Sequence, residues 1–147
     1  MAQEKLIEGE LTGSVIDSFF EVYNVLGYGF LEHVYIPALE REMRSRGLRP
    51  AREVGARVDY KGEDICSFRL DMVINEKLIV EVKSTELLPS TSLRQLCNYL
   101  RSTQFEVGLL LHFGPEPKFY RRILTNDMKQ SRNPLSISPD PDPFFSE

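Results

Sequence analysis

The pattern of hydrophobic and polar positions predicts two helices in the first third of the chain. Between residues 11 and 27, apolar side chains recur at the spacing of one helix face, and Thr12 or Ser14 could cap the helix start. A second helix is predicted to run to Gly47. Pro37 lies inside this second helix, so we expect a kink or a late start there, because proline removes a backbone hydrogen bond.

After the second helix, the pattern changes to alternating and continuous apolar runs. These predict strands at residues 52–62, 65–74, 77–83, 107–114 and 118–125, and a third helix at residues 91–103. The run from Val107 to Gly114 is continuously apolar, which is typical of a strand buried on both faces. The order is helix, helix, three strands, helix, two strands. It indicates one α/β domain, a sandwich in which helices flank a central mixed sheet.

The last fifteen residues differ in composition from the rest. The segment "NPLSISPDPDPFFSE" contains four prolines and three acids, Asp140, Asp142 and Glu147, and no basic residue. Such a segment buries little apolar surface, so we expect residues 133–147 to form a flexible tail. Residues 1–132 are expected to form a single domain, with no repeat and no second domain.

Composition places the chain among ordinary globular proteins. It has 147 residues, 41% hydrophobic and 27% charged, and a net charge of −4. The start lacks the apolar core of a signal peptide, and no apolar run nears the ~20 residues of a membrane helix. We therefore expect a cytoplasmic protein without a membrane partner, with Cys66 and Cys97 as reduced thiols. The acidic net charge weighs mildly against nucleic acid as a partner.

The stretch "SFRLDMVINEKLIVEVKSTE" places charged residues in two strands that are otherwise apolar. If the turn between the strands is the three residues Asn75–Lys77, Asp71 falls opposite Glu81 and both carboxylates point the same way. Like charges directly opposite each other destabilise a sheet. A two-residue turn would instead place Val80 opposite Asp71.

Two interpretations of these acids remain open from spacing alone. Asp71 could form an ion pair with Arg69, Lys83 or a helix residue. Alternatively, a divalent cation could lie between Asp71 and Glu81, because Mg²⁺ takes one or two carboxylates together with water and phosphate oxygens. Lys83, two residues after Glu81, would then reach the same space as a bound water.

Four motifs occur in order along the chain. Asp71 is followed, after nine residues, by "EVK", Glu81 to Lys83; "QLCNY", residues 95–99, fits the pattern QxxxY. Upstream, "GFLEHVY", residues 29–35, fits GxxExxY, and "VGLLLHFG" follows downstream. Together, over roughly residues 10–124, the chain resembles the GxxExxY family of the PD-(D/E)XK nuclease superfamily, whose RecB-like members carry QxxxY. It departs from that family at Pro37, and at Ser92 and His112, where His and Asn are common.

The resemblance implies a restriction-endonuclease-like fold and a metal-dependent nuclease that hydrolyses phosphodiester bonds of nucleic acid. We expect DNA as the substrate, although the sequence itself does not distinguish DNA from RNA. The resemblance also implies Mg²⁺ as the cofactor, with Mn²⁺ able to substitute. Asp71 and Glu81 resemble the metal-binding carboxylates, and Glu32 the helical acid that completes the metal site. Lys83 resembles the lysine that orients the attacking water or stabilises the developing charge.

Gln95 and Tyr99 are implied to hold a ligand oxygen, the lysine or the phosphate. They lie one helical turn apart and therefore face the same side. We predict that they and Glu32 converge on the acid pair from two helices. A helix on the far face of the sheet would remove its residues from the site.

Other functions are compatible with the sequence. The same fold could serve as a catalytically silent nucleic-acid-binding or assembly subunit, or as a structural α/β protein with salt-bridged acids. The six arginines between Arg41 and Arg57 indicate either a solvated surface or a patch that tracks phosphates. A chain of this length offers little surface for a duplex, so a homodimer is one expected arrangement.

Overall fold

The computed structural model describes residues 7–130, so the predicted tail lies outside the described residues. The elements are α1 (Gly9–Leu26), α2 (Glu32–Ser45), β1 (Pro50–Tyr60), β2 (Glu63–Ile74), β3 (Leu78–Lys83), α3 (Ser92–Ser102), β4 (Val107–Phe113), β5 (Pro117–Ile123) and α4 (Asn126–Gln130). Their order confirms the predicted one, apart from the short α4, which the sequence pattern did not indicate. No helix in this range is long and apolar enough to cross a membrane.

The five strands form one sheet in the order β1-β2-β3-β4-β5. The β3–β4 pair is parallel and the other three pairs are antiparallel. A parallel pair needs a crossover connection, and α3 supplies it between β3 and β4. The predicted fold class, a mixed sheet flanked by helices in one α/β domain, is confirmed.

Helices cover both faces of the sheet. On one face, Phe19 of α1 and Tyr35 of α2 are fully buried against the sheet. On the other face, Leu96 of α3 packs against Ile79 and its neighbours. Gly108 of β4 allows this approach, because a Cβ at that position would lie 2.7 Å from Leu96 Cδ1. Every residue of β4 is buried, which confirms the prediction of a strand covered on both sides.

The helix starts differ from the predicted ones. Helix α1 begins at Gly9, and the Thr12 hydroxyl donates back to the Glu8 carbonyl at 3.0 Å instead of capping the helix. The prediction of a cap at Thr12 or Ser14 is therefore wrong. Helix α2 begins at Glu32 and continues through Pro37, so the predicted late start at the proline is also wrong.

The β1–β2 hairpin is irregular at Asp71. Val73 and Leu70 both pack on the α3 side of the sheet, although strict alternation would place residues three apart on opposite faces. Across from Asp71 in the register lies Glu53, whose φ of 53° is left-handed and unusual for a residue with a side chain. The alternation of β2 side chains between the two faces of the sheet is therefore interrupted at Asp71, the first candidate acid.

Candidate active site

The turn between β2 and β3 determines how the two candidate acids face each other. Ile74 pairs with Leu78, so the turn consists of the three residues Asn75–Lys77, as predicted. Continuing the same register places Asp71 opposite Glu81. The three-residue turn is thus confirmed, and the alternative two-residue turn is excluded.

At Asp71 and Glu81, the carboxyl groups take the place of backbone ladder bonds. The Asp71 N–H donates to Glu81 Oε2 at 3.0 Å, and the Val82 N–H donates to Asp71 Oδ2 at 2.9 Å. The charge of Asp71 also raises the pKa of Glu81, as expected for two carboxyl groups that lie close together. Each acid is therefore held against the main chain of the opposite strand.

Burial and mutual repulsion make this pair hard to ionise fully. Glu81 is only 7% exposed, and its burial together with the neighbouring Asp71 raises the pKa of Glu81 from 4.5 to about 8. Burial also raises the pKa of Asp71, and the charge of Glu32 adds to that rise. Near neutral pH the pair therefore retains a proton unless a cation compensates its charge.

Lys83 ends β3 on the same side as Glu81, two residues further along the strand. Its ammonium charge lowers the pKa values of both acids and so partly offsets the effect of burial. Within residues 7–130, however, none of the ion pairs closer than 4.0 Å includes Asp71, Glu81 or Lys83. Arg69, the other predicted partner, bonds Glu53 at 3.4 Å.

Helix α3 brings Tyr99 to the acid pair. Burial, Glu81 and Asp71 together raise the pKa of Tyr99 to about 12, so its phenol stays protonated and can donate a hydrogen bond. The ring is stacked on Phe68 of β2, with centroids 4.5 Å apart. Gln95 lies one turn earlier on α3 and is exposed, so its direction toward the site follows from helical spacing alone.

Glu32 reaches the site from the opposite face of the sheet. It is the first residue of α2, and its Oε2 accepts a hydrogen bond from the Ser84 N–H at 3.1 Å, immediately after Lys83. Its charge acts on Asp71. Helix α2 packs on the face of the sheet opposite to α3, and the criterion given in the sequence analysis counts this against Glu32. The start of α2 nevertheless lies beside the end of β3, so Glu32 stays a candidate.

One further hydrogen bond fixes this strand end to the α1–α2 loop, and two more fix that loop to Tyr35 of α2; the sequence pattern did not indicate any of them. The Ser84 hydroxyl donates to the Phe30 carbonyl. The buried Tyr35 hydroxyl donates to the Gly27 carbonyl and accepts from the Phe30 N–H at 3.3 Å. The signal was present in GxxExxY, whose tyrosine holds the loop and whose glutamate bonds the Ser84 N–H at the strand end.

His112 of the neighbouring strand β4 holds Thr85, the residue that follows Ser84. Its Nε2 lies 2.9 Å from the Thr85 carbonyl and 3.1 Å from the Thr85 hydroxyl. Because a carbonyl can only accept, Nε2 carries the ring proton in this arrangement. A Cβ at Gly114 would lie 2.8 Å from the ring, so glycine leaves room for it. His112 therefore supports the segment that follows Lys83.

The donor set suits a hard divalent cation. Among residues 7–130, no group of three or more His, Cys, Asp or Glu side chains is arranged to hold a metal ion. Mg²⁺ does not require such a group, because it commonly binds one or two carboxylates and fills its other positions with water and phosphate oxygens. Asp71 and Glu81, two carboxylates paired across the β2–β3 hairpin, fit that requirement.

The arginine-rich region is largely neutralised by acids. Arg44 and Arg52 both bond Glu40, at 3.1 and 3.3 Å, and Arg46 bonds Glu42 at 2.8 Å. Exposed pairs of this kind contribute only about 0–1 kcal/mol each to stability. They nevertheless occupy the guanidinium groups, which favours a solvated surface over a patch that tracks phosphates.

The fold and the candidate site together identify the structural class of this domain. A mixed sheet with helices on both faces, a β2–β3 hairpin with two paired acids and a lysine at the end of β3 define a restriction-endonuclease-like α/β domain. The family model of the PD-(D/E)XK nuclease superfamily matches residues 9–124, and the chain belongs to that superfamily. Superfamily membership implies a nucleic-acid substrate and a divalent metal.

Comparison with solved structures supports the same fold. The crystal structure of SSO0001 superimposes with a TM-score of 0.52 and covers 91% of this chain and 69% of its own. Sequence identity is 18%, so this likeness concerns the fold alone. No curated protein matches the sequence.

Proposed function

We propose that this protein is a Mg²⁺-dependent nuclease that hydrolyses phosphodiester bonds of DNA, and that it belongs to the GxxExxY family within its superfamily. The observation that carries the proposal is the pairing of Asp71 with Glu81 across the β2–β3 hairpin, where each carboxyl group is held by a main-chain N–H of the facing strand. A structural protein gains nothing from holding a half-buried acid and a buried acid together without a close cationic partner, since this arrangement costs stability.

Asp71 and Glu81 would hold the metal ion, and Mn²⁺ could replace Mg²⁺ on the same oxygen ligands. A bound ion would lower the pKa of an attacking water and neutralise phosphate charge. The chain's own contribution is to orient these two carboxyl groups through the Asp71 and Val82 N–H groups. They are thereby positioned before any ligand arrives, which reduces the reorganisation needed for catalysis.

Lys83 and Tyr99 are hydrogen-bond donors on the same side of the sheet as the acids. The Lys83 ammonium cannot be a metal ligand, so we assign it to orienting the attacking water or stabilising the charge that develops on the phosphate. Tyr99, protonated because its pKa is raised to about 12, donates to a phosphate or ligand oxygen. Gln95, one turn away, is assigned to the same phosphate.

Glu32 remains a candidate third acid of the metal site. One of its oxygens accepts the Ser84 N–H, which favours a role in positioning the end of β3. Its charge also reaches Asp71, which is compatible with a ligand role through a water molecule. The two roles make different predictions for Glu32→Gln, since glutamine can accept the Ser84 N–H but is a poor metal ligand.

The test is a cleavage assay with Mg²⁺ on single-stranded, duplex and branched DNA and on the corresponding RNAs. Lys83→Ala should lose cleavage, whereas Lys77→Ala should retain it, because Lys77 is an exposed lysine in the turn of the same hairpin. Wild-type cleavage of DNA that stops with EDTA and with Lys83→Ala would support the proposal. Absence of metal-dependent cleavage on every substrate, or full activity of Lys83→Ala, would contradict it.

A further inference from the structure

The α1–α2 loop exposes apolar side chains beside the candidate active site. Tyr28 is 46% exposed, Phe30 45% and Leu31 64%, in three of the four residues that follow Gly27. Leu87, four residues after Lys83, is 81% exposed. Isolated exposed apolar residues are ordinary, but a group of them next to a candidate catalytic strand end suggests a binding surface.

This loop is fixed to the catalytic strand. The Phe30 carbonyl accepts the Ser84 hydroxyl, its N–H donates to the Tyr35 hydroxyl, and its ring packs edge-on against the Tyr35 ring at 6.0 Å. Gly29, with φ of 118°, supplies a backbone conformation that other residues rarely adopt. The loop backbone and the Phe30 ring are therefore held in place before binding, which lowers the entropy cost of contacting a ligand.

The charges of the chain favour a nucleic acid that is bound through its bases over one that is bound through its phosphates. Duplex binding normally depends on several unpaired Lys and Arg side chains that replace counterions on the phosphates. In this chain the net charge is −4, and five arginines of the described region are in ion pairs with acids: Arg44, Arg46, Arg52, Arg57 and Arg69. Stacking of unpaired bases on aromatic rings supplies affinity that does not depend on such charges.

We propose that Tyr28 and Phe30 form a stacking surface for unpaired bases, so that the substrate of this site is a single strand or a single-stranded end. Leu31, which follows Phe30 in the chain, is a further exposed apolar residue of this loop. The inference rests on the proposed function in one respect, since it takes the Asp71–Glu81 pair as the place where the phosphate binds. The recognition of bases by the Tyr28 and Phe30 rings goes beyond the proposed nuclease function.

The experiment measures binding without turnover. Fluorescence anisotropy in EDTA compares a thymidine strand of about twelve nucleotides with an abasic strand of equal length and with the matching duplex. The proteins are the full chain, Tyr28→Ala, Phe30→Leu and the control Tyr60→Leu. Tyr60 is 48% exposed at the far end of the β1–β2 hairpin, so it matches Tyr28 in exposure but not in position.

Base stacking predicts that wild type binds the thymidine strand more tightly than the abasic strand or the duplex. Tyr28→Ala should weaken binding of the thymidine strand roughly 5- to 150-fold, which is the usual loss per stacked base. Phe30→Leu should also weaken it, while retaining the apolar contact with Tyr35. Tyr60→Leu should bind as wild type does, and melting temperatures check that all variants are folded.

Equal binding of the abasic and thymidine strands, or unchanged binding in folded Tyr28→Ala and Phe30→Leu proteins, would overturn the inference. Sedimentation of the same proteins tests a second occupant: a dimer that dissociates in Tyr28→Ala while strand binding is unchanged would assign the surface to self-association. Failure of the nuclease proposal would give a different result. A protein that binds unpaired bases through Tyr28 but cleaves no substrate would contradict the nuclease proposal and still support this binding surface.

Discussion

Replacing Glu81 by glutamine separates a metal site from a salt-bridged pair. Glutamine has nearly the same shape, and its carbonyl oxygen can still accept the Asp71 N–H that now bonds Glu81 Oε2. Only the charge is removed. Because the pKa of Glu81 in the fold is about 8, above the ordinary 4.5, the folded state holds more protons than the unfolded state between those pH values. The metal-free stability of the wild type therefore falls as pH rises through this window.

The size of the effect follows from the same values. The interval between 4.5 and about 8 spans roughly three and a half pH units, and each unit corresponds to about 1.36 kcal/mol. Above pH 8 the wild type thus carries a cost on the order of 5 kcal/mol that Glu81→Gln lacks. At about 2–4 °C per kcal/mol for a chain of this size, the variant should melt about 10 °C higher at pH 9 in EDTA. At pH 4 both side chains are neutral, and the two proteins should melt together.

The assay is thermal unfolding of both proteins at pH 4 and pH 9, in EDTA and in excess Mg²⁺. A ligand that binds only the native state adds about 2.7 kcal/mol at a hundredfold excess over Kd, so Mg²⁺ should raise the melting temperature of the wild type at pH 9. It should not raise that of Glu81→Gln, whose amide is a much weaker ligand. A variant that is less stable than the wild type at pH 9, combined with a wild type that ignores Mg²⁺, would mean that Glu81 is stabilised by a fixed cation. That result would refute the metal-site reasoning.

Three more substitutions test the remaining assignments. Lys83→Ala should lower kcat about 100-fold or more while keeping the Mg²⁺-dependent rise in melting temperature, and loss of that rise would show that Lys83 organises the metal site. Tyr99→Phe should lower kcat about 10- to 100-fold with unchanged metal affinity, as expected for a lost hydrogen bond to a charged oxygen, and unchanged kcat would limit Tyr99 to packing on Phe68. Glu32→Gln keeps an acceptor for the Ser84 N–H and should keep activity, whereas Glu32→Ala should lose it. If Glu32→Gln instead weakens Mg²⁺ affinity in a titration, Glu32 is a metal ligand.

The parts of the site that are local in sequence could be predicted from the sequence. Asp71 and Glu81 belong to two strands joined by a short turn, and alternation together with turn length fixes which residues face each other. The observed pairing of Ile74 with Leu78 is the one that a three-residue turn requires. The buried strand β4 could be predicted for a similar reason, since an uninterrupted apolar run leaves no side for water.

Elements that depend on tertiary contacts could not be predicted in this way. Helix α4 has only five residues, too few for a helical pattern to be recognised. It is held by Lys129, whose ammonium donates to the Thr103 and Phe105 carbonyls at 2.7 and 2.6 Å. Burial lowers the pKa of Lys129 to about 8, which reflects how far this ammonium is withdrawn from water. Nothing in the local sequence around residue 129 indicates these two acceptors.

The position of Glu32 shows a different limit of sequence reasoning. A hydrophobic pattern assigns a helix to one face of a sheet, and by that criterion α2 and α3 belong to opposite faces. The candidate site, however, lies where β3 ends, and both helical layers have access to a strand end. Glu32 bonds the Ser84 N–H there, while Tyr35, three residues later on the same helix, holds the loop whose Phe30 carbonyl accepts the Ser84 hydroxyl. The spacing of GxxExxY is therefore explained by contacts with a strand end about 50 residues away in sequence, which no local pattern within α2 could indicate.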